Sequence, residues 1–352
     1  MSFDWIQQPC RVPSSEHRVR AFERQEQLTK PQGALGRLEA LAVELAALQT
    51  ADRPRADHVP VLVFAGDHGV VAQGVSAYPS EVTVQMLHNF TAGGAAIAVL
   101  ARELDLPLRV IDAGTLADSP IAGVVIDKPC RGTGDFSATE AMSPSQLAHA
   151  LAAGQRAVAA FDSANLFILG EMGIGNTTAA SALACAIAHL PASELVGAGT
   201  GLDAARIEHK QHVLERALAL HGAAIERSAS PALESLRRVG GLEIAAMVGA
   251  MIAAAQRGVP VLVDGFIVSC AALAAVRLNP CVRPWLLFSH QSAERGHARV
   301  LEALSARPLL QLDLRLGEGS GAALALPLVR LACALHNRMA TFAEAAVSGR
   351  QA

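Results

Sequence analysis

Strand-like apolar runs that end in glycine-bearing turns and lead into long helices recur from about residue 60 to about residue 335. Such a βα rhythm is typical of an α/β fold with a buried parallel sheet. The predicted strands are residues 60–65, 107–112, 123–126, 165–169, 259–263, 284–288 and 309–316. The predicted helices are residues 81–104, 144–161, 177–190, 203–220, 241–257, 267–277 and 292–305.

The composition supports this fold class and argues against nucleic-acid binding as the function. The chain has 352 residues, 51% hydrophobic and only 4% aromatic, which suits close-packed helices on a buried parallel sheet. Its formal net charge is -3, and it contains no basic run of the kind that binds nucleic acid. We therefore expect small-molecule chemistry and no nucleic-acid partner.

The six cysteines lie far apart and form neither a Cys-x-x-Cys pair nor a Cys/His zinc spacing, so we expect reduced thiols and no metal site. Residues 1–20 are interrupted by charges and lack the apolar core of a signal peptide. The most apolar helical stretch, residues 244–255, is too short to span a bilayer. These observations predict a cytoplasmic protein without membrane contact.

The two ends of the chain differ from its middle. Residues 16–50 are predicted to be helical apart from a break at 30–33, and an Arg/Pro/Asp-rich connector follows at 51–58. We expect these helices to pack beside the sheet domain, together with a C-terminal helix at 329–347.

One segment near the C-terminus places a carboxylate where ligands bind. Leucines alternate with polar residues over 309–316, which predicts a strand, and a turn with three glycines then surrounds Glu318 before a helix at 322–331. In α/β sheets the crevice beyond the carboxyl ends of the strands binds ligands. Glu318 is therefore either a catalytic group on that rim or a carboxylate that caps the next helix.

Four of the predicted strands end in unusual turns, at residues 66–69, 170–178, 264–266 and 317–321, which predicts one shared crevice. The turn GEMGIGNTT at 170–178 is the candidate phosphate cradle, through Gly173, Gly175, Asn176 and Thr177 at the start of a helix. The alternative is a glycine turn with a threonine N-cap. Glu171 adds a second carboxylate.

The same turn is a poor match to known nucleotide motifs. Its glycine order is not that of the dinucleotide fingerprint, and no Gly-Lys-Ser/Thr follows as in a Walker loop. No two acidic residues are adjacent anywhere in the chain, unlike magnesium pyrophosphate-sugar sites. An NAD-dependent oxidoreductase and a non-catalytic nucleotide- or azole-binding protein remain the rival classes.

Three further candidates have plain structural alternatives. We interpret Asp67-His68 as structural, with Asp67 accepting hydrogen bonds from neighbouring turns. Lys210 either projects toward an anion or belongs to a solvated helix face. Ser292, after the strand at 284–288, is either a helix N-cap or a phosphate ligand.

Together these motifs resemble the nicotinate-nucleotide:dimethylbenzimidazole phosphoribosyltransferase family over nearly the whole chain. The resemblance rests on LTKPQGALGRLE (28–39), AGDHGV (65–70), GEMGIGNTT (170–178), VGGLE (239–243), PVLVDGF (260–266), SHQSAE (289–294) and RLGEGSGA (315–322). It implies a homodimer with a doubly wound, three-layer α/β/α domain at 59–328. A small helical domain would comprise residues 1–58 and 329–352.

The resemblance also implies a reaction and residue roles. The 5-phosphoribosyl group of nicotinate mononucleotide would pass to 5,6-dimethylbenzimidazole without a cofactor or metal. Glu318 would be the general base with Glu171 nearby, and Lys210 and Ser292 would lie near the nucleotide phosphate.

We expect the azole pocket to include Tyr78, Gln85 and Met86, which lie between the first strand and a helix start. A flat aromatic ring and a thioether suit a bicyclic azole. The alternative for Tyr78, the only tyrosine in the sequence, is a place on the surface of a loop.

Overall fold

A computed structural model describes residues 3–197, 199, 201 and 203–348 and contains one parallel sheet of six strands. The strands are β1 Val61–Gly66, β2 Leu108–Gly114, β3 Val124–Ile126, β4 Phe167–Met172, β5 Val261–Val263 and β6 Leu286–Phe288. Their order in the sheet is β3-β2-β1-β4-β5-β6, and every neighbouring pair is parallel. The order reverses between β1 and β4, which is the switch point of a doubly wound sheet.

The central strands of the sheet are buried on both faces because helices cover them, whereas the edge strand β3 is largely exposed. Every residue of β1 and β5 is buried, as the short apolar runs in the sequence predicted. The helices are α1 Ser15–Gln27, α2 Arg37–Gln49, α3 Glu81–Ala92, α4 Ala96–Glu103, α5 Pro144–Ala159, α6 Asn176–Ala188, α7 Ala192–Leu195, α8 Ala204–Glu226, α9 Pro231–Val239, α10 Leu242–Arg257, α11 Phe266–Leu278, α12 His297–Ala303 and α13 Ser320–Arg338. Short 3₁₀ helices occupy Asp4–Gln7, Gly69–Gln73 and Pro280–Trp285. The predicted α/β/α class is confirmed.

The predicted strand at 309–316 is wrong. Leu310 forms a single parallel bridge with His290 at the end of β6, and the described residues show no further ladder there. Asp313 has a left-handed φ of 54°, which breaks the extended conformation that a strand requires. Leu312 and Leu316 are 55% and 61% exposed, so the alternating leucines do not form a buried face.

Four helix predictions also need correction. The helix predicted at 81–104 is divided into α3 and α4, because Gly93 adopts a left-handed φ of 82° and ends α3. The helix predicted at 292–305 begins only at His297. The two helices predicted at 322–331 and 329–347 are one helix, α13, which ends at Arg338.

The two chain ends pack together. The Arg24 side chain donates hydrogen bonds to the carbonyl oxygens of His336, Asn337 and Met339, at 2.8, 3.4 and 3.2 Å. Leu28 forms an antiparallel bridge with Thr341. This packing agrees with a helical unit built from both ends, although α13 runs through the predicted boundary at 328/329. The two-domain division stays a prediction.

Among the residues that the structure describes, one stretch, Glu81–Glu103, is long and apolar enough to cross a membrane by length and composition. In the structure this stretch consists of the two short helices α3 and α4 rather than one long helix. α3 packs against β1 and β2, and α4 packs against α13.

Helices α5 and α10 pack at backbone contact through two glycines. A Cβ atom on Gly154 would lie 1.8 Å from the carbonyl oxygen of Ala246, and one on Gly249 would lie 2.0 Å from that of Leu151. Real Cβ contacts are never this short, so the helices must separate to accept a larger residue. The small residues thus determine the spacing of these helices.

We predict that Gly154→Ala lowers the free energy of unfolding by about 1–3 kcal/mol or more, because overpacking forces the helices apart. Gly222→Ala in α8 is the matched control, since the added Cβ has no described atom within 4 Å apart from its chain neighbours and the nearby backbone of its own helix. That variant should gain up to about 1 kcal/mol from helix propensity. Urea denaturation measures both, and equal effects would contradict the proposed packing.

Candidate active site

A cavity of about 380 Å³ opens at the carboxyl ends of the sheet, beside the switch point between β1 and β4. Its wall is formed by the segment after β4, the start of α11 after β5, the segment after β6, the turn before α13 and one face of α3. The predicted shared crevice is thus present for the turns at 170–178, 264–266 and 317–321. The turn at 66–69 lies below the cavity and does not line it.

The turn that bears Glu318 has an unusual backbone. Gly317, Glu318 and Gly319 have successive left-handed φ angles of 93°, 65° and 86°. For glutamate this conformation is strained, and such strain is concentrated at functional sites. The turn presses on β4, because a Cβ atom on Gly170 would lie 2.2 Å from the Glu318 carbonyl oxygen. Glycine at 170 is therefore required for this close approach.

The Glu318 carboxyl group lines the cavity and is 6% exposed. Its Oε2 accepts a hydrogen bond of 3.3 Å from the backbone N–H of Ile97, in the first turn of α4. Burial and the charge of Asp264 raise the pKa of Glu318, while the Ile97 N–H opposes that shift. This hydrogen bond joins Glu318 to α4, which is distant in sequence. The capping alternative required a bond to α13, the helix that follows Glu318.

Glu171 is buried next to Glu318. The Asn176 side chain donates a hydrogen bond to Glu171 Oε2, and the Glu318 N–H donates to Oε1 at 3.4 Å. Burial, followed by the charges of Asp264, Glu243 and Glu318, raises the pKa of Glu171 to about 8. Glu171 is therefore mainly protonated at neutral pH.

Two lining residues that sequence reasoning did not single out are Asp264 and His290. Asp264 is buried after β5 and accepts hydrogen bonds from the N–H groups of Gly319 (3.2 Å) and Ala322 (2.8 Å). Burial raises its pKa to about 6 and lowers the pKa of His290 to about 4. The turn at 264–266 was recognised as part of the crevice, but the partners of Asp264 lie more than fifty residues away.

The candidate phosphate cradle forms the start of α6. Gly173, Asn176 and Thr177 line the cavity, and Gly175 is the N-cap residue with a left-handed φ of 93°. No described side chain caps this helix start, so the threonine-cap alternative does not hold. An uncapped helix N-terminus that faces a cavity attracts anions.

Lys210 lies behind this cradle and is only 1% exposed. Its Nζ donates a 2.8 Å hydrogen bond to Thr177 Oγ1, so the solvated-face alternative is wrong. Burial lowers the pKa of Lys210 to about 8, although the charge of Glu294 opposes that shift. Ser292 lines the cavity and its Oγ accepts a 3.2 Å bond from the Glu294 N–H. It is not an N-cap, because α12 begins at His297.

The candidate azole residues divide into two groups. Tyr78, half exposed, and Met86 line the cavity, and Val82 lies between them on the same face. Gln85 is exposed and lies outside the lining, because it occupies another face of α3.

The segment with Asp67 and His68 packs against the turn before α6, outside the cavity lining, in agreement with their structural interpretation. Asp67 Oδ2 accepts a 2.8 Å hydrogen bond from the Leu116 N–H. His68 Nε2 is 2.8 Å from Glu243 Oε1, and both side chains are fully buried. Burial opposes a charge on His68, but the charges of Glu243 and Asp67 prevail and raise its pKa.

Comparison with known proteins places the chain in the phosphoribosyltransferase class. A family model described as phosphoribosyltransferase matches residues 10–347. Nicotinate-nucleotide:dimethylbenzimidazole phosphoribosyltransferase from Bradyrhizobium sp. (strain ORS 278) is 65% identical over 351 residues, 99% of each chain. The enzyme of that name from Pseudomonas aeruginosa (strain UCBPP-PA14) is 59% identical over 355 residues, 100% of each chain.

A solved structure supports the same assignment. The crystal structure of the enzyme of this name from Thermus thermophilus has a TM-score of 0.89 and 43% sequence identity, covering 96% of this chain and 100% of that one. The chain therefore belongs to the nicotinate-nucleotide:dimethylbenzimidazole phosphoribosyltransferase family. This result favours the predicted transferase over the rival oxidoreductase and binding-protein classes.

The proton on Glu171 leads to a pH-dependent stability. The pKa of Glu171 rises from an ordinary value of 4.5 to about 8 on folding, so the unfolded chain releases this proton between those pH values while the folded protein keeps it. Its contribution to stability is present below pH 4.5 and is lost as pH rises toward 8. Glutamine is neutral throughout and resembles the protonated acid.

We predict that the free energy of unfolding of Glu171→Gln, relative to wild type, rises from pH 5 to pH 8 by at most about 1.4 kcal/mol per pH unit. Urea denaturation at several pH values measures this difference. Glu234→Gln is the control, because Arg237 and Arg238 lower the pKa of Glu234 to about 2 and its charge is constant over this range. A pH-independent difference for Glu171→Gln would show that Glu171 is ionised.

Proposed function

We propose that this protein transfers the 5-phosphoribosyl group of nicotinate mononucleotide to 5,6-dimethylbenzimidazole, giving α-ribazole 5′-phosphate and nicotinate. The observation that supports this most directly is the buried Glu318 carboxyl group, held at the cavity in a strained turn. The enzyme names of the full-length relatives from Bradyrhizobium and Pseudomonas aeruginosa support the choice of substrates.

The chemistry requires few groups from the protein. Nicotinate bound through its ring nitrogen is cationic, and it leaves C1′ as a neutral pyridine nitrogen without a proton donor or a metal ion. One ring nitrogen of the benzimidazole forms the new bond to C1′ while the other loses its proton. Attack on the face opposite nicotinate inverts C1′, so one displacement converts the β-nucleotide into the α-ribotide.

Glu318 is the general base that takes this proton in the proposed mechanism. Its raised pKa brings its proton affinity closer to that of the group it must deprotonate, and a well-placed base contributes about 10²- to 10⁴-fold in rate. Negative charge near C1′ also stabilises the positive charge that develops on the ribose during displacement. Glu171, being mainly protonated, lies beside Glu318 without adding a full second charge.

In this proposal the phosphate of the nucleotide binds at the start of α6. The start of α6 from Gly173 to Thr177 supplies backbone N–H groups, and Ser292 supplies a hydroxyl group at the cavity. The ammonium group of Lys210 donates a hydrogen bond to Thr177 and adds a positive charge beside the bound phosphate. Tyr78, Val82 and Met86 then contact the azole and influence which base is accepted.

The remaining features of the proposal concern the protein as a whole. We infer a homodimer from the family resemblance and a cytoplasmic location from the sequence. The free thiol state of all six cysteines supports a reducing compartment.

Mass spectrometry of the product formed from nicotinate mononucleotide and a panel of benzimidazoles and purines tests the function. We predict that wild type forms the α-ribotide of dimethylbenzimidazole, whereas Glu318→Gln lowers turnover by at least about a hundredfold with little change in substrate binding. Circular dichroism confirms folding of the variant. Near-normal turnover by a folded Glu318→Gln variant would exclude Glu318 as the base.

We predict that Lys210→Ala raises the Michaelis constant for nicotinate mononucleotide more than that for the azole, because a buried ammonium group beside the cradle attracts the dianion. Lys128→Ala is the control, since Lys128 pairs with Asp112 at 2.7 Å and lies outside the cavity. Steady-state kinetics with each substrate varied in turn measures the effect. Equal changes in the Michaelis constants for nicotinate mononucleotide and the azole would show that Lys210 does not bind the phosphate.

A further inference from the structure

The turn that bears Glu318 is held between two neighbouring strands. On the β4 side, Gly170 leaves just enough space for the Glu318 carbonyl group. On the β5 side, Asp264 is 1% exposed and accepts hydrogen bonds from Gly319 N–H and Ala322 N–H, one on each carboxylate oxygen. The backbone N–H groups of Gly265 and Gly321 also interact with the Asp264 carboxylate.

We propose that Asp264 is a positioning residue for Glu318: it binds the backbone on the C-terminal side of the turn and thereby holds the Glu318 carboxyl group at the cavity. This inference rests on the proposed function, in which Glu318 is the base. Asp264 itself transfers no proton in the reaction.

The start of α13 shows why a distant carboxylate is needed. Its N-cap residue is Gly319, which has no side chain, and Ala322 N–H is among the first N–H groups that a helix leaves unpaired. Asp264, directly after β5, accepts a hydrogen bond from this Ala322 N–H group. Its negative charge is also favourable at a helix N-terminus. The strained φ of Glu318 persists because both sides of the turn are fixed in this way.

The charge of Asp264 provides a second test of the positioning role, because it changes the pKa of Glu318. This charge raises the pKa of Glu318, after the larger effect of burial. The other titratable or charged groups around the two carboxyl groups are Glu171 in β4, His290 and Glu294 after β6, Arg315 before the turn, Lys210 beside Glu294, and Glu243, near Glu171, with its partner His68. Loss of the Asp264 charge should therefore lower the pKa of Glu318 while these groups stay in place.

Asp264→Asn removes the charge and one of the two acceptors. We expect single-turnover rates with saturating substrates to fall by about tenfold to a hundredfold, as misplacement of a catalytic group does. The Michaelis constants should change by less than about threefold, because substrate contacts remain. The rate rises with pH as the base loses its proton, so a lower pKa of Glu318 moves the midpoint of this acid limb to lower pH.

A double-mutant cycle isolates action through Glu318. In the Glu318→Gln background the base is already absent, so Asp264→Asn should change the residual rate by less than about threefold. If Asp264 only stabilises the fold, its effect is the same in both backgrounds. An equal loss in both backgrounds would overturn the proposal.

Asp112→Asn is the matched control. Asp112 is a buried carboxylate at the end of β2 that accepts N–H bonds from Gly114 (3.1 Å) and Thr115 (2.7 Å), but it lies outside the cavity. Asp112→Asn should lower the free energy of unfolding without moving the midpoint of the acid limb of the rate profile. If Asp264→Asn is not recovered folded, Asp264→Ser, which is smaller and keeps one acceptor, should move the acid limb in the same direction.

The outcomes separate this inference from the proposed function. Product formation by wild type together with an unchanged rate or acid limb in Asp264→Asn would overturn the positioning role and leave the function intact. A wild-type protein that forms no α-ribotide would overturn the proposed function itself.

Discussion

The contact between the Gly170 Cα atom and the carbonyl group of Glu318 is the constraint on which the site depends. It brings a turn after residue 316 against the central strand β4, at the point where the strand order reverses. Without a side chain at 170, the turn can approach closely enough to place Glu318 beside Glu171. The backbone of Glu318 is thus fixed by packing against β4, and the Ile97 N–H holds its carboxyl group.

Three carboxyl groups are buried around the cavity, and their removal from water is energetically unfavourable. Glu171, Asp264 and Glu318 are all buried, and burial is the largest factor that raises the pKa of each. Their environments differ nonetheless: several backbone N–H groups stabilise the charge on Asp264, whereas Glu171 faces the charges of other carboxylates. Near neutral pH one group is mainly protonated and another mainly charged, which is the separation of roles expected of paired carboxyl groups.

The sequence predicted the first six strands because buried parallel strands are short apolar runs bounded by turn residues, and those runs were present. At 309–316 the alternating leucines predict a strand, but the left-handed φ of Asp313 prevents one. Glu318 was still identified, because the glycine spacing of its turn is local information. The role of Asp264 was not, since its hydrogen-bond partners follow it by more than fifty residues and only the folded sheet brings them together.

The charges of the site are arranged along the cavity in a way that matches the proposed nucleotide. Lys210 and the start of α6 make one wall attractive to a phosphate dianion. In the proposed mechanism Glu318 attracts the cationic ring and the positive charge that develops at C1′. In that mechanism the product ring carries no permanent positive charge, so Glu318 attracts the substrate nucleotide more strongly than the product. The electrostatic preference of the proposed site for nicotinate mononucleotide would therefore also favour release of the ribotide once the displacement has occurred.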